Sequence, residues 1–252
     1  MRIAISSGHS LHVRGARGVL DEVDENRRVV DRVTAMLRAN NVAVESFHDN
    51  TSRTVAANIG AIVAWHNGRQ RDRDVSVHFN AFRTTDQPMG TECLHRSQAA
   101  LAARVSTAMA RGGGFRDRGP KHRTNLGFLN RVARPAILLE VCFVDSSHDA
   151  RLYRANFEAV CREIAASISG GSIGPSPPPP AGARPVIRQG SRGDAVREAQ
   201  TLLNRRPSNR SRLVEDGVFG PLTDARTREF QHHERIVVDG VIGPVTWGRL
   251  TA

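Results

Sequence analysis

The chain has 252 residues, enough for one full-sized core and a small second domain, and its 39% hydrophobic content excludes a wholly disordered protein. Its formal charge is +11, and of its 36 basic residues only Lys121 is a lysine. A basic surface attracts polyanions such as nucleic acids, acidic lipids or the charged polymers of a cell envelope. The arginines are scattered and only 5% of residues are aromatic, a composition that argues against a nucleic-acid-binding protein.

The amino terminus turns polar and basic after a few apolar residues, so it lacks the apolar core of a signal peptide. No stretch approaches the roughly 20 apolar residues that a transmembrane helix needs. We therefore expect synthesis in the cytoplasm and no transmembrane segment. The three cysteines form neither an even-numbered disulfide pattern nor a metal-binding CxxC pair, which predicts reduced, mostly buried thiols at Cys93, Cys142 and Cys161.

Up to about residue 170, short apolar runs alternate with amphipathic ones. The runs predict strands at 2–6, 42–47, 75–80 and 135–144, and the 3.6-residue period predicts helices at 22–40, 54–67, 97–111 and 148–169. Asn40 and Asn41 mark the end of the first helix. This alternation predicts an α/β fold with a mostly parallel central sheet flanked by helices. Sites in such sheets collect where strands end and loops begin.

Polar side chains interrupt or end four of these predicted elements. Gly8 permits a sharp turn just before the first of them. These side chains would be costly to bury singly, whereas convergence on one cation would make their burial favourable. They are His9 after the first strand, Glu22 and Glu25 at the start of the first helix, His78 within the third strand and Glu140 within the long apolar strand.

Two imidazoles and one carboxylate suit zinc, with the fourth tetrahedral position left to water. A second carboxylate can take the proton of that water as it attacks a carbonyl group, so the set predicts a metal-dependent amide hydrolase. A structural role is the ordinary alternative for either histidine taken singly. An ionisable residue such as Glu140 is seldom found without a partner in so apolar a strand.

Residues 1–170 resemble the zinc-dependent N-acetylmuramoyl-L-alanine amidases. The matching motifs are Gly8-His9, Glu22 with Asn26 four residues on, SVHFNA at 76–81 and PAILLEVCFVDS at 135–146. The resemblance implies one zinc ion bound by His9, Glu22 and His78, with Glu140 as the general base or acid, and the Asn26 spacing selects Glu22 over Glu25. Asn80 lies on the same side of its strand as His78, so we expect it either to help hold ligand or substrate or to cap the strand end.

A segment rich in proline and glycine, GGSIGPSPPPPAGARP, predicts an extended linker at 171–185 between domains at 1–170 and 186–252. Beyond it, the pattern D-G-V-x-G-P-x-T occurs twice, within 214–223 and 237–246. Each copy combines a tight Asp-Gly turn with a proline that starts a helix. Together with an amphipathic helix at 193–206, the repeats predict a small all-α domain of three helices.

This second region resembles the three-helix peptidoglycan-binding domain, through AQTLL, Phe230-Gln231 and the Thr-Trp pair at 246–247. We expect Trp247 to be a core residue. The two resemblances together imply an enzyme that binds bacterial peptidoglycan and cuts the amide bond between N-acetylmuramic acid and the first L-alanine of the stem peptide. Lack of an export signal favours a phage or prophage endolysin, and we expect a monomer without a nucleic-acid partner.

Two alternatives remain open at this point. The chain could be a cell-wall peptidase with Cys142 as its nucleophile, although catalytic cysteines usually lie at a helix start and Cys142 is inside an apolar run. It could also be a wall-binding protein without catalytic activity. The presence of all four predicted site residues argues against the second alternative.

Overall fold

The computed structural model describes residues 1–174, 184–234, 236, 238 and 240–251. The chain divides into two compact units, Met1–Ser176 and Pro177–Ala252. Each unit has its own hydrophobic core. The predicted linker at 171–185 falls mostly on residues 175–183, which lie outside the described residues, so that boundary stays a prediction.

The first unit is built around one six-stranded sheet with the order β2-β1-β3-β6-β4-β5. Every pair of neighbouring strands is parallel except β4 with β6. The predicted mostly parallel sheet is therefore confirmed. The strands are β1 (Arg2–Ser10), β2 (Ala43–Asp49), β3 (Arg73–Asn80), β4 (Thr91–His95), β5 (Asp117–His122) and β6 (Ala136–Phe143).

Helices cover both faces of this sheet. They are α1 (Glu22–Ala39), α2 (Val55–Asn67), α3 (Ala99–Gly113), α4 (Gly127–Arg131) and α5 (Ser147–Ser169). Helix α1 begins where the carboxylate of Asp21 accepts hydrogen bonds from the amides of Val23 and Asp24. It ends at Asn40, and Asn41 follows with a φ of 57°, as the sequence predicts. Across the described residues, no helix is both long and apolar enough to cross a membrane.

Alternation along the strands divides the apolar residues between two clusters. Ile137 and Leu139 of β6 belong to the larger cluster with residues of α1, α3 and α5. Leu138 belongs to a smaller cluster with residues of α2 and α4. Successive side chains of a strand point to opposite faces, so β6 is buried on both sides, as its continuous apolar run predicts. This places β6 and Glu140 in the interior of the fold.

A buried polar network joins the smaller cluster to the sheet. Asp74, at the start of β3, accepts hydrogen bonds from Nδ1 of His66 at 2.8 Å and from Nε and Nη2 of Arg71 at 2.8 and 2.9 Å. Nε2 of His66 lies 2.9 Å from the hydroxyl of Ser6. Burial lowers the pKa of His66 despite its bond to Asp74, so the ring is neutral. Burial would raise the pKa of Asp74, but the bonds from His66 and Arg71 outweigh it and lower that pKa.

Replacement Asp74→Asn is expected to lower the free energy of unfolding by about 3 kcal/mol, because it leaves the buried Arg71 guanidinium without its counter-ion. Urea denaturation at pH 7 measures the loss, with the exposed Asp86→Asn as the control that changes little. In the wild-type protein, stability should decline as the pH falls below about 6.5, because the unfolded chain protonates His66 and the folded chain does not. The Asp74 contribution is lost only below about pH 3.8. Equal midpoints for Asp74→Asn and Asp86→Asn would contradict this account.

The second unit contains the three predicted helices, α6 (Asp194–Asn204), α7 (Pro221–His233) and α8 (Pro244–Thr251). Its core includes Leu203, Phe219, Phe230 and Trp247, and Trp247 is 4% exposed, so its predicted core position is confirmed. The indole Nε1 donates to the carbonyl of Pro185 at 2.8 Å. Burial with a satisfied N–H group is the usual state of a tryptophan in a core.

A buried glutamine accepts a hydrogen bond from the glycine amide in each copy of the repeat. Gly217, with a φ of 73°, donates its amide to Oε1 of Gln200 at 2.8 Å. Gly240, with a φ of 72°, donates to Oε1 of Gln231 at the same distance. Both glycines adopt the left-handed conformation that a side chain disfavours. The repeat in the sequence thus corresponds to a repeated helix-to-turn contact.

Candidate metal centre

Three of the predicted site residues meet at one edge of the sheet. His9 is near the end of β1, His78 is near the end of β3, and Glu22 begins α1. Oε1 of Glu22 lies 3.1 Å from Nε2 of His9 and 3.0 Å from Nδ1 of His78. One ligand atom from each residue lies within 4.8 Å of the others, and among the described residues this is the one group of three or more potential metal ligands. The parallel order of β1 and β3 explains the meeting, because their carboxyl ends lie at the same edge.

Backbone amides fix the orientation of the Glu22 carboxylate. Its Oε2 accepts a hydrogen bond from the amide of Ala16 at 2.7 Å, and its Oε1 lies 3.3 Å from the amide of Phe79. Burial would raise the pKa of Glu22, but hydrogen bonds from His78 and His9 outweigh it and hold that pKa well below the usual range. An ionised carboxylate with one oxygen directed at two imidazoles is a donor set that suits a divalent cation.

The sequence-based role of Gly8 as a turn residue is wrong. Strand β1 continues to Ser10, so His9 lies within the strand, and His9 itself has the positive φ of 61°. A Cβ atom on Gly8 would lie 2.0 Å from Cε1 of His78. Gly8 is therefore required by the close approach of the His78 ring, and the strained backbone belongs to the candidate ligand.

The loop between β1 and α1 closes over the same group. A Cβ atom on Gly15 would lie 2.3 Å from Oε2 of Glu22 and 2.6 Å from Nε2 of His9. The side chain of Asn26 donates from Nδ2 to the carbonyl of Gly8 at 3.2 Å. Asn26, one turn after Glu22 on α1, thus holds the end of β1 against the helix. The glycines leave a space that any larger residue would fill.

Glu140 lies beside these three residues, opposite His78 in the pairing of β3 with β6. Its side chain is half-buried, yet its Oε2 atom is buried without a hydrogen-bond partner among the described residues. Burial raises the pKa of Glu140 well above its ordinary value, and the charges of Glu22 and Glu92 raise it further, whereas Arg123 opposes them. A buried carboxyl with a raised pKa beside candidate ligands is typical of an acid–base group.

Sequence reasoning missed a cavity of about 350 Å³ that is lined by residues of β3, β4, β5 and β6. Asn80 lines this cavity and donates from Nδ2 to Oε1 of Glu92 at 3.0 Å. Glu92 lies opposite Glu140 in the pairing of β4 with β6. Arg118 and Arg123 complete its charged lining. Glu92 lies on β4, Arg118 lies on β5 and Arg123 follows β5. The sequence pattern predicts neither of these two short strands.

A serine–histidine–aspartate chain also lies near the site. Nδ1 of His48 is 2.9 Å from the hydroxyl of Ser7, and Nε2 is 3.0 Å from Oδ1 of Asp31. Ser7 is 0% exposed, so its hydroxyl cannot reach a substrate as a nucleophile must. We therefore assign a structural role to the hydrogen-bonded set of Ser7, His48 and Asp31.

Comparison with known families gives the decisive observation. Residues 3–170 match the N-acetylmuramoyl-L-alanine amidase family, and residues 192–250 match the peptidoglycan binding domain. The chain belongs to the N-acetylmuramoyl-L-alanine amidase family. Both resemblances read from the sequence motifs are thereby confirmed. The family match spans every element from β1 to α5, and the second match spans the three helices of the second unit.

The chain is similar to individual proteins of two kinds, which are sequence relatives and solved structures. An uncharacterized protein of Clostridium perfringens (strain 13 / Type A) is 29% identical over 161 residues, which cover 61% of this chain and 47% of that protein. The chain thus spans about half the length of that relative. The catalytic domain of the CD27L endolysin targeting Clostridia Difficile is 23% identical, with a TM-score of 0.63 and coverage of 69% of this chain and 99% of that domain.

An N-acetylmuramoyl-L-alanine amidase from Clostridium difficile 630 is 20% identical, with a TM-score of 0.57. It covers 67% of this chain and 95% of its own. At these identities the structural likeness establishes the fold. The amidase fold places the ends of β1, β3 and β6 at one edge, where His9, His78 and Glu140 lie.

Proposed function

We propose that this protein is a zinc-dependent N-acetylmuramoyl-L-alanine amidase that cleaves the bond between N-acetylmuramic acid and the L-alanine of the stem peptide. The observation that carries the proposal is the convergence of His9, Glu22 and His78 within 4.8 Å. Family membership supplies the reaction class. The second unit supplies the affinity for peptidoglycan.

The residues present fit one zinc ion. Nε2 of His9, Nδ1 of His78 and Oε1 of Glu22 are the atoms that would bind it, since Oε2 of Glu22 is held by the amide of Ala16. Gly8 and Gly15 keep the surrounding space open, because a Cβ atom at either position would collide with a ligand side chain. A bound zinc ion would supply a Lewis acid that lowers the pKa of water, so that water can lose a proton and attack an amide at neutral pH.

Glu140 performs the proton transfers in this proposal. Its carboxylate takes a proton from the attacking water, and its carboxyl group then donates a proton to the leaving nitrogen of L-alanine. The Oε2 atom of Glu140 has no hydrogen-bond partner among the described residues, so it is available for both proton transfers. The cavity lined by Glu92, which lies opposite Glu140 in the pairing of β4 with β6, gives the substrate a place near this carboxyl group.

We also propose that the protein acts as a phage or prophage endolysin, made in the host cytoplasm and released onto the wall. The likeness of its first unit to an endolysin catalytic domain supports this role. Expression inside a bacterium should leave cells intact until the inner membrane is permeabilised, and culture turbidity should fall only then. Lysis without permeabilisation would contradict the endolysin role.

Mass spectrometry of digested peptidoglycan tests the cleaved bond. The expected products are free stem peptides that begin with L-alanine, without new reducing sugar ends. New reducing ends would indicate a glycosidase, and peptides that lack L-alanine at their amino terminus would indicate a peptidase. Either result would contradict the amidase assignment.

Removal of residues 177–252 should weaken binding to insoluble peptidoglycan by about 100-fold, because tethering to the wall raises the local concentration of substrate. Hydrolysis of a soluble muropeptide should stay nearly unchanged, since the first unit has its own core and holds all the proposed site residues. Sedimentation with purified walls and release of soluble peptide measure the two effects. A shortened protein that sediments with walls as completely as the full chain would refute this division.

The structure disfavours the thiol peptidase alternative. Cys142 lies in β6 and is 0% exposed. Burial raises the pKa of its thiol well above the ordinary value, and the charges of Asp149 and Glu25 raise it further. A reactive cysteine needs an accessible thiolate, and Cys142 has neither accessibility nor a lowered pKa.

A further inference from the structure

Two residues that line the cavity are neighbours of the proposed site in the sheet. Asn80 in its lining follows His78 by two residues on β3. Glu92 in its lining faces Glu140 across the pairing of β4 with β6. Glu140 does not line the cavity itself, but Glu92 in the lining pairs with Glu140, and Asn80 is two residues from His78, the other pairing partner of Glu140. A substrate whose amide lies at Glu140 can therefore extend into the cavity.

The lining of the cavity contains two positive charges, Arg118 and Arg123, and one negative charge, Glu92. Both carboxylate oxygens of Glu92 are used, one by Asn80 at 3.0 Å and one by Nε of Arg118 at 2.7 Å. Arg118 is half-buried and its guanidinium lies 5.0 Å from the ring centroid of Phe143. Glu92 and Arg118 therefore neutralise each other within the wall. Arg123 remains as the excess positive charge among the lining residues.

Arg123 is exposed and faces the cavity. Its guanidinium makes one hydrogen bond among the described residues, a long contact of 3.5 Å from Nη1 to the carbonyl of His122. Guanidinium groups bind carboxylates strongly because two parallel N–H donors match two carboxylate oxygens. This arginine has donors available for such a ligand.

Hydrogen bonds anchor both ends of the segment between β3 and β4, which contributes Phe82 and Met89 to the lining. The amide of Phe82 donates to Oδ2 of Asp145 at 2.7 Å, which fixes the start of the segment after β3. Asp149 of α5, 0% exposed, accepts from the amides of Met89 and Gly90 at 3.1 and 2.8 Å, which fixes its end. Phe82 itself is 72% exposed at the cavity rim. An exposed aromatic ring at the rim of a cavity that arginines also line suits a peptide better than a small ion.

We propose that this cavity binds a free carboxylate of the stem peptide and that Arg123 is the residue that contacts it. The inference rests on the proposed function, because the reacting amide at Glu140 determines which part of the substrate enters the cavity. The muramic carboxyl is consumed in the scissile amide, and the N-acetyl sugars are otherwise neutral. The first free carboxylate beyond the bond belongs to the second peptide residue when that residue is a γ-linked glutamate.

Two soluble substrates test this inference on the full-length, zinc-loaded protein. They are N-acetylmuramoyl-L-alanyl-γ-D-glutamyl-L-lysine with the glutamate α-carboxyl group either free or amidated. The wild-type kcat/KM should be about 10-fold higher for the free carboxylate, mainly through KM, since the contact is made in the bound substrate and in the transition state alike. The ratio should fall to about one in Arg123→Gln, because the charge-assisted contact is lost.

The matched control is Arg111→Gln, which removes an exposed arginine of α3 that does not line the cavity and should keep the wild-type ratio. Use of a ratio cancels any change that Arg123→Gln makes to Glu140, because both substrates share the same enzyme. Equal wild-type values for the two substrates, or an unchanged ratio in Arg123→Gln, would overturn the inference and leave the amidase function intact. Release of no peptide from either substrate would overturn the proposed function, and the inference with it.

Discussion

Full-length protein with His78→Ala is expected to lose its bound zinc and, with it, all measurable release of stem peptides. Nδ1 of His78 is one of the three proposed ligand atoms, and two remaining protein ligands do not hold zinc against dialysis. Metal content after dialysis and peptide release from purified walls give independent readouts. Circular dichroism separates this loss from unfolding, since His78 is half-buried at the strand end rather than part of the apolar core.

His12→Ala is the matched control, because His12 is an exposed histidine in the loop after β1 and is not in the ligand group. It should keep one zinc per chain and full activity. A chelator should abolish the activity of the wild-type protein, and added zinc should restore it. A His78→Ala protein that keeps stoichiometric zinc would overturn the proposed ligand set, whatever its activity.

The strands and helices that frame the site could be predicted because their patterns are long and regular. β6 is almost wholly apolar, β1 begins with a short apolar run, and apolar residues alternate with polar ones along β3. α1 has a clear end signal at Asn40. β4 and β5 could not be predicted from the same signals. β4 has five residues, and β5 includes a glycine, a proline and four charged or imidazole side chains at the sheet edge. Pairing with β6 stabilises β4 more than its intrinsic preference does.

The residues of the site likewise divide into those that the sequence could predict and those that it could not. His9, Glu22 and His78 could be nominated because each is a polar residue at an edge or end of a predictable element, and parallel strands bring such ends together. Arg118 and Arg123 could not be nominated, since nothing in the local pattern separates them from the other arginines of a basic chain. The reason for Gly8 lies in a long-range contact that the local sequence does not reveal. Its importance lies in contact with His78, 70 residues away, and not in its own backbone conformation.

Asp149 and Asp74 differ from the candidate catalytic carboxyl in their partners. Asp149 accepts three backbone hydrogen bonds, from Met89, Gly90 and Phe143, and Asp74 accepts from His66 and Arg71. Glu140 has a buried oxygen without a partner among the described residues. Burial of an unsatisfied polar atom is costly to the fold. Such a cost is characteristic of active sites, where function rather than stability determines the residue.

Glu140→Gln is expected to lower kcat by about 10²- to 10⁴-fold, the usual contribution of a general acid–base group. The amide has nearly the same shape as the carboxyl group but cannot exchange the proton, so zinc content and KM should change little. Glu45→Gln, at an exposed position of β2, is the matched control and should keep wild-type activity. Steady-state kinetics on a soluble muropeptide and metal analysis distinguish loss of proton transfer from loss of zinc.

The same substitution should make the metal-free protein more stable at pH 7. The raised pKa means that the folded state disfavours the ionised form of Glu140, whereas the unfolded chain ionises it freely above about pH 4.5. Glutamine removes that penalty, so the urea midpoint of Glu140→Gln should exceed that of the wild type at pH 7, and the difference should vanish as the pH falls toward 4. An active Glu140→Gln enzyme would exclude the acid–base role. A group that is retained for catalysis at the expense of stability should lose activity and gain stability when its charge is removed. An inactive variant with a lower urea midpoint would therefore show that Glu140 supports the fold.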